Sequence, residues 1–236
     1  GDDSVSLVMD ILIVAFLALG GYAGWKAGIL KTLVKFVGIV AIIIMALSFK
    51  DTIVAVLFKY LPFFNYGGIF NNLFSINIFV YNAIAFLIIF ILLYCLLSIV
   101  LSVTGFLNTL LNLTIVWILP SKILGAIVGV LSAWVYLLAA IYILGQLPPV
   151  AGIVYESNLA PVMMKYTPIV NKMASKTTDG MNDIYKMLKK ADKDTDRESL
   201  DLQILTKAMS AGLITQEQFE SLILDEKLKM DNVMFG

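Results

Sequence analysis

The chain has 236 residues, of which 60% are hydrophobic and 14% are charged, and its 17 basic residues balance its 17 acidic residues. A soluble domain usually has about 45–50% apolar and about 25% charged residues, so this composition indicates a membrane protein. The balanced charge leaves no basic excess for nucleic acid, and the absence of histidine excludes histidine bases and histidine metal ligands from this chain. The single cysteine, Cys95, excludes a disulfide bond within the chain.

Four long apolar runs precede residue 149. A helix needs about 20 mainly apolar residues to cross the hydrocarbon layer, and only helices or closed barrels satisfy their backbone hydrogen bonds there. Because the runs are continuous rather than alternating, they predict helices. The predicted spans are residues 5–25, 29–49, 78–103 and 123–144.

The segments between these spans differ in length and composition. Residues 20–28 are rich in glycine and predict a tight joint between the first two helices. Residues 50–77 predict a long loop whose aromatic residues favour the membrane–water interface. Residues 104–121 predict an interfacial or re-entrant helix that ends at Pro120.

The positions of the lysines predict the orientation of the spans. Lys26, Lys31 and Lys35 crowd the first joint, and Lys122 opens the fourth helix. Basic residues in short loops favour the cytoplasmic side. We therefore expect the joint in the cytoplasm, and the N-terminus, the 50–77 loop and the C-terminal tail on the opposite side.

The composition changes after Pro149, beyond which most of the charged residues lie. The sequence predicts a transmembrane domain at residues 1–149, amphipathic juxtamembrane helices at 150–191, a charged linker at 192–200 and a small helical hairpin tail at 201–236. The predicted fold class is therefore an all-α membrane protein with about four transmembrane helices, interfacial amphipathic helices and a C-terminal hairpin.

The part of the chain after Pro149, which we call the tail, has sequence patterns that predict helices. Apolar residues between positions 159 and 173 recur at intervals of three and four, which predicts one stripe that lies in the membrane interface and is kinked at Pro168. Residues 181–188 predict a second short amphipathic helix. In the hairpin, Gly212 is placed to end the first helix, and Thr215 with Gln218 predicts a capping box.

Small residues spaced four apart are the first group of candidate site residues. Such spacing lets two helix backbones approach closely in lipid. The pattern is typical of packing within one chain, but it also suits a face that receives a partner. The candidates are Gly20, Gly24, Gly28, Gly125 and Gly129.

Polar residues in or near the spans form the second group: Asp10, Lys26, Asn82 and Lys122. Asp10 is interpreted either as an interface anchor or as a proton or ion site paired with Lys122 or Lys26, since a charge in the bilayer needs a partner. Asn82 is interpreted either as a hydrogen bond between helices or as part of a polar path. The sequence shows no catalytic, cofactor-binding or metal-binding pattern, so we expect no enzyme and no cofactor.

Three stretches resemble the colicin V production protein family. They are Met9-Asp10-Ile11-Leu12, the joint Gly24-Trp25-Lys26-Ala27-Gly28-Ile29-Leu30-Lys31, and Lys122-Ile123-Leu124-Gly125 followed by Gly129. The segment from Glu156 to Pro161 is also similar to the family's segment after its fourth helix, so the resemblance covers about residues 9–170. Ser132-Ala133 and Ser121 stand where the family often has an Arg-Gly pair and an acidic residue.

The resemblance implies a multi-pass protein of the bacterial cytoplasmic (inner) membrane, in a family linked to bacteriocin production or export. It transfers no catalytic residue. We expect a non-enzymatic scaffold or accessory factor that supports toxin export or envelope maintenance and contacts itself or another envelope protein through its glycine faces and its tail. The alternative is a small oligomeric channel or transporter, which Asp10 and the polar residues Asn77, Asn82 and Asn108 in or near the spans favour. The expected partners are the lipid bilayer and a second copy of this protein or another envelope protein. No nucleic acid is expected as a partner.

The predicted orientation is testable with single cysteines at positions 31 and 175 in a Cys95→Ser background. We expect a membrane-impermeant thiol reagent, added outside cells or spheroplasts, to label position 175 and to leave position 31 unlabelled. Labelling of position 175 only after the membrane is opened contradicts the orientation.

Overall fold

The computed structural model describes residues 2–106, 108–109, 118–192 and 194–228, and in these ranges the regular structure is helical. In chain order the helices are α1 Asp2–Ala27, α2 Ile29–Tyr60, α3 Ile76–Val103, α4 Ile118–Leu144, α5 Ala151–Tyr155, α6 Leu159–Tyr166, α7 Pro168–Lys190, α8 Arg197–Ser210 and α9 Gln216–Leu224. A single 3₁₀ turn, Gly68–Phe70, lies in the described loop between α2 and α3.

Helices α1 to α4 are long and apolar enough to cross a membrane. Large apolar side chains are exposed along their outer faces, among them Ile11, Leu92 and Ile127. Such a surface is unfavourable in water but packs against acyl chains in a bilayer. The predicted all-α membrane fold is confirmed.

Two helix boundaries differ from the predictions. Helix α2 continues through Lys50 to Tyr60, because Val54 and Phe58 on one of its faces are buried against the tail. The predicted loop therefore begins at Leu61 rather than at residue 50. Helix α4 begins before Pro120, which lies in its first turn, where a missing N–H group costs little. The rest of the predicted helix at 104–121 lies largely outside the described residues.

Helices α1 and α4 run antiparallel along a glycine seam. A Cβ atom on Gly24 would overlap the Gly125 carbonyl oxygen, and one on Gly20 would meet the backbone of Gly129. At the joint, Gly28 has a φ of 79° and the Ile29 N–H donates to the Ser121 hydroxyl at 3.2 Å. The glycines of both helices thus meet in one contact within the chain, which fixes the register between α1 and α4.

Helices α2 and α3 complete a bundle with this pair. Ile13 of α1, Ile39 of α2, Phe86 of α3 and Leu138 of α4 are buried in the same core. We call the end of the bundle that contains Gly28 the joint end.

The tail packs on the other end of the bundle, which we call the tail-side end. There Leu73, Ile76 and Phe79, around the start of α3, share a core with residues of α7, α8 and α9 such as Met181 and Leu222. The first turn of α3 is buried throughout, so its lipid-facing part begins near Leu87. The start of α1, the α2–α3 loop and the tail therefore lie at the same end of the bundle.

The bounds of the tail helices differ from the predicted ones. Thr167, with extended backbone angles, separates α6 from α7, and Pro168 begins α7 instead of kinking it. Helix α7 then continues without a break to Lys190, and α8 begins at Arg197, inside the predicted linker.

The predicted caps of the hairpin are confirmed. Gly212 has a φ of 73°, and the Leu213 N–H donates to the Ala208 carbonyl, which is the pattern of a Schellman motif. The Thr215 hydroxyl accepts from the Gln218 N–H, while the Gln218 side chain accepts from the Thr215 N–H.

The glycine seam predicts opposite effects for two Gly→Ala substitutions. Gly24→Ala should lower stability by about 1–3 kcal/mol, because the methyl group forces α1 away from the backbone of α4. Gly180→Ala, in α7, should leave stability unchanged or raise it by up to about 1 kcal/mol, because a Cβ there meets no atom within 4 Å. Thermal unfolding in detergent measures both, and equal melting temperatures for the two variants contradict the seam.

Candidate functional site

Asp10 connects the bundle to the tail. Its Oδ1 accepts from the Ser157 hydroxyl at 2.6 Å and from the Leu159 N–H at 3.1 Å. Its Oδ2 accepts from the Asn158 side-chain amide at 3.0 Å and from the Asn158 N–H at 3.3 Å. Since Leu159 is the first residue of α6, Asp10 acts as the cap of a helix that lies almost 150 residues away in sequence.

This arrangement gives the Asp10 carboxylate partners without a lysine. The start of α6 carries unpaired N–H groups and the positive end of the helix dipole, which both favour a carboxylate. Lys26 lies 16 positions along α1, about 24 Å away at about 1.5 Å per residue, and Lys122 is at the same joint end. The structure therefore does not bring Asp10 together with Lys26 or Lys122.

Asp201 makes the reciprocal connection, from the tail to the bundle. Its Oδ1 accepts at 2.8 Å from the N–H of Ser75, the residue that precedes α3. The Asp201 side chain is only 3% exposed, and this burial raises the pKa of its carboxyl to about 6. Each part of the molecule thus supplies a carboxylate to the start of a helix in the other.

Asn82 lies in a buried polar cluster near the tail-side end of the bundle. Its amide group donates to the Tyr142 hydroxyl at 2.8 Å and to Gln146 Oε1 at 2.5 Å. Gln146 in turn donates to the Tyr142 carbonyl at 2.9 Å. Because all three side chains are buried, these bonds tie α3 to the end of α4 in a place without bulk water.

Two more polar side chains border this cluster. Thr177 of α7 lies within hydrogen-bonding reach of Tyr142, and the buried Lys50 of α2 is near enough for its charge to act on Tyr142. The Lys50 side chain is 9% exposed, and its ammonium pairs at 2.8 Å with Asp51, whose side chain is 69% exposed. Asn82 Oδ1 is buried without a hydrogen-bond partner among the described residues, a situation that costs about 1–3 kcal/mol. The cluster therefore joins α2, α3, α4 and α7 at one point.

A groove of about 380 Å³ lies in the joint half of the bundle. Glycines of the seam line one side of it, and Lys35, Tyr94 and Tyr136 are among the residues that line the other parts. The sequence analysis did not single out these tyrosines, because their meeting depends on the packing of α3 on α4. The groove can hold an apolar chain with a polar end near Lys35.

A second recess, of about 480 Å³, lies between α6 and α7. Lys165 and the polar residues Asn171, Ser175 and Asp179 line it, together with Tyr155. We call this recess the tail crevice. It shares no lining residue with the groove in the joint half, so the two recesses are separate.

The role of Asp10 as a cap predicts the effect of Asp10→Ala. The substitution removes the acceptor of several N–H and O–H groups, so the start of α6 should open more easily by about 1–3 kcal/mol. Hydrogen exchange of the amides of residues 158–160 measures this opening, with the exposed Asp194→Ala as the control. Unchanged protection after Asp10→Ala contradicts the role.

In comparison with known proteins, residues 9–168 match the family described as Colicin V production protein. No curated protein and no solved structure matches the chain. The matched region contains most of α1 and all of α2 to α6, so it includes both ends of the Asp10 contact, and it covers more than half of the sequence. This chain therefore belongs to the colicin V production protein family.

Proposed function

We propose that this protein is a non-enzymatic scaffold of the bacterial cytoplasmic membrane that holds a partner protein on its tail. In this role it supports the production or export of a bacteriocin, or the maintenance of the envelope. Membership of the colicin V production protein family supports the link to bacteriocins. The lysines at the joint end support a tail on the extracytoplasmic side.

The observation that carries the proposal is the attachment of the tail to the bundle at several separate points. Besides Asp10 and Asp201, Arg197 donates to the Ile69 carbonyl at 3.0 Å and Lys227 donates to the Lys59 carbonyl at 3.0 Å. Helices α8 and α9 also share a core with the start of α3. A tether needs no such fixed position, whereas a platform that presents a surface does. We call α8 and α9 the platform.

The surface offered to a partner lies on the platform, because the glycine faces are occupied within the chain. Leu202 and Met209 are seven residues apart on α8, hence on one face, and both are exposed. Leu224, at the end of α9, is 81% exposed. Exposed apolar side chains among polar ones outside a bilayer are typical of protein–protein contacts.

In-cell photo-crosslinking tests the proposal. A photoreactive residue at position 202, 209 or 224 should trap one distinct envelope protein, whereas one at the buried Ile204 on the same helix should trap none. Met163 and Met181 of the tail are unsuitable as crosslinking positions, because their side chains lie in the protein core and cannot reach a partner. In a bacteriocin-producing strain, Leu202→Asp with Met209→Asp should also lower secretion of the toxin without lowering the amount of this protein in the membrane.

The outcomes separate the two functional hypotheses. Crosslinks that join only copies of this protein, in a regular ladder, contradict the scaffold and favour an oligomeric channel. Such a channel would have to form between copies, since the groove and the tail crevice are separate within one copy. Normal secretion by the doubly substituted protein, with no trapped partner, contradicts both the platform and its role.

A further inference from the structure

Helices α6 and α7 form a hairpin that lies beside the bundle rather than above it. The corner of the hairpin is Thr167, whose hydroxyl accepts from the Trp134 indole N–H at 2.8 Å and donates to the Met163 carbonyl at 2.8 Å. Trp134 lies ten positions before the end of α4, inside a membrane-spanning helix. The corner is therefore held at the level of a spanning segment.

The register of the glycine seam gives the depth of this corner. Because Gly24 faces Gly125 and Gly20 faces Gly129, Asp10 lies at the level of Ala139. Trp134 is five residues deeper along α4, which is about 7–8 Å at about 1.5 Å per residue. Since Asp10 bonds to the first turn of α6, the hairpin starts at the level of Asp10 and descends from there.

The opposite end of α4 gives a second measure of depth. Trp134 lies 12 positions from Lys122, or about 18 Å, in a hydrocarbon layer about 30 Å thick. With Lys122 at one boundary, the corner lies about 12 Å inside the other boundary. This measure places the corner within the acyl chains of the tail-side leaflet, and the register of the seam independently places it deeper than Asp10.

The two faces of the hairpin fit this depth. Met163, Val170 and Ala174 are buried in the core of the bundle. On the other side, Tyr166 is 68% exposed and Ile169 is 53% exposed, and Val162 and Met173 are also exposed. This outer face continues the lipid-facing surface of α1 and α4, which α6 contacts.

The charged residues of the hairpin avoid the lipid or reach the headgroups. Lys165, next to the corner, lines the tail crevice with Asp179, and its ammonium lies 5.6 Å from the centre of the Tyr166 ring. Lys172 and Lys176 follow Pro168 by four and eight residues, so they lie about 6 and about 12 Å above the corner. With the corner about 12 Å inside the boundary, Lys176 lies at the boundary and Lys172 about 6 Å within it, and lysine side chains are long enough to bring their ammonium groups to the lipid phosphates.

We propose that the α6–α7 hairpin is a re-entrant element whose partner is the tail-side leaflet itself. Its outer face lies among the acyl chains, its corner is fixed by Trp134, and the ammonium groups of Lys172 and Lys176 extend to the phosphates. The inference does not depend on the scaffold role, because it rests only on depth and on the exposed face.

Nitroxide labels on the full-length protein test the depth. Single cysteines replace Tyr166, Ile169 or Lys176 in a Cys95→Ser background, in vesicles of phosphatidylcholine and phosphatidylglycerol in equal parts. Position 91, on the lipid face of α3, is the membrane control, and position 202, on α8, is the aqueous control. Each label is then exposed to oxygen, which concentrates in the bilayer, and to a water-soluble nickel chelate.

Positions 166 and 169 should match position 91, with a ratio of oxygen to nickel accessibility several-fold higher than at position 202. Position 176 should give an intermediate ratio. Ratios at 166 and 169 equal to that at 202 overturn the proposal, because the hairpin is then in water. Low accessibility to both reagents also overturns it, because a protein rather than lipid then covers the outer face.

Discussion

A helix that starts in or near a bilayer needs acceptors for its first N–H groups, since water is scarce there. Two carboxylates meet this need across the boundary between bundle and tail. Asp10 of α1 accepts from the start of α6, and Asp201 of α8 accepts from the residue before α3. Because each part completes a helix of the other, the tail sits on the bundle in one position.

The glycine seam determines where Asp10 is presented. Without a side chain at Gly20 and Gly24, α1 approaches α4 closely enough for backbone contact, and the register has little freedom. Asp10 then lies where α6 begins, and the Trp134 indole lies where the hairpin turns at Thr167. Close packing near the joint end thus sets the geometry at the tail-side end.

Features that depend on neighbouring residues could be predicted from the sequence, and features that depend on distant ones could not. Hydropathy was sufficient for four spans, and spacing was sufficient for the capping box at Thr215, since both are properties of short segments. Lys50 and Asp51 indicated the end of the second helix. Helix α2 nevertheless continues past them, because their side chains pair with each other and the residues beyond them pack on the tail. The hydrogen-bond partners of Asp10 lie more than 140 residues away in the sequence, and no local pattern predicts them.

The candidate residues show the same limit. The glycines were recognised as packing residues by their spacing, but whether they faced another helix of the chain or a partner depended on the antiparallel meeting of α1 and α4. The polar interior around Asn82 needed Tyr142 and Gln146 from the end of α4, together with Thr177 from α7. A polar residue in a span indicates that a partner exists, and only the fold supplies its identity.

The family match ends at Pro168, the first residue of α7, and this limit coincides with a division in the structure. The matched part contains the bundle, the Asp10 anchor and the descending arm of the hairpin, which together set the position of the chain in the bilayer. The platform lies beyond the match, yet it shares a core with the start of α3, inside the matched part. If the platform receives the partner, as we propose, the matched family domain provides the membrane architecture. The choice of partner is then determined by α8 and α9, which lie outside the matched residues. Asp201 is one of the residues that attach the platform to the matched part, because it belongs to α8 and accepts from the N–H of Ser75, just before α3.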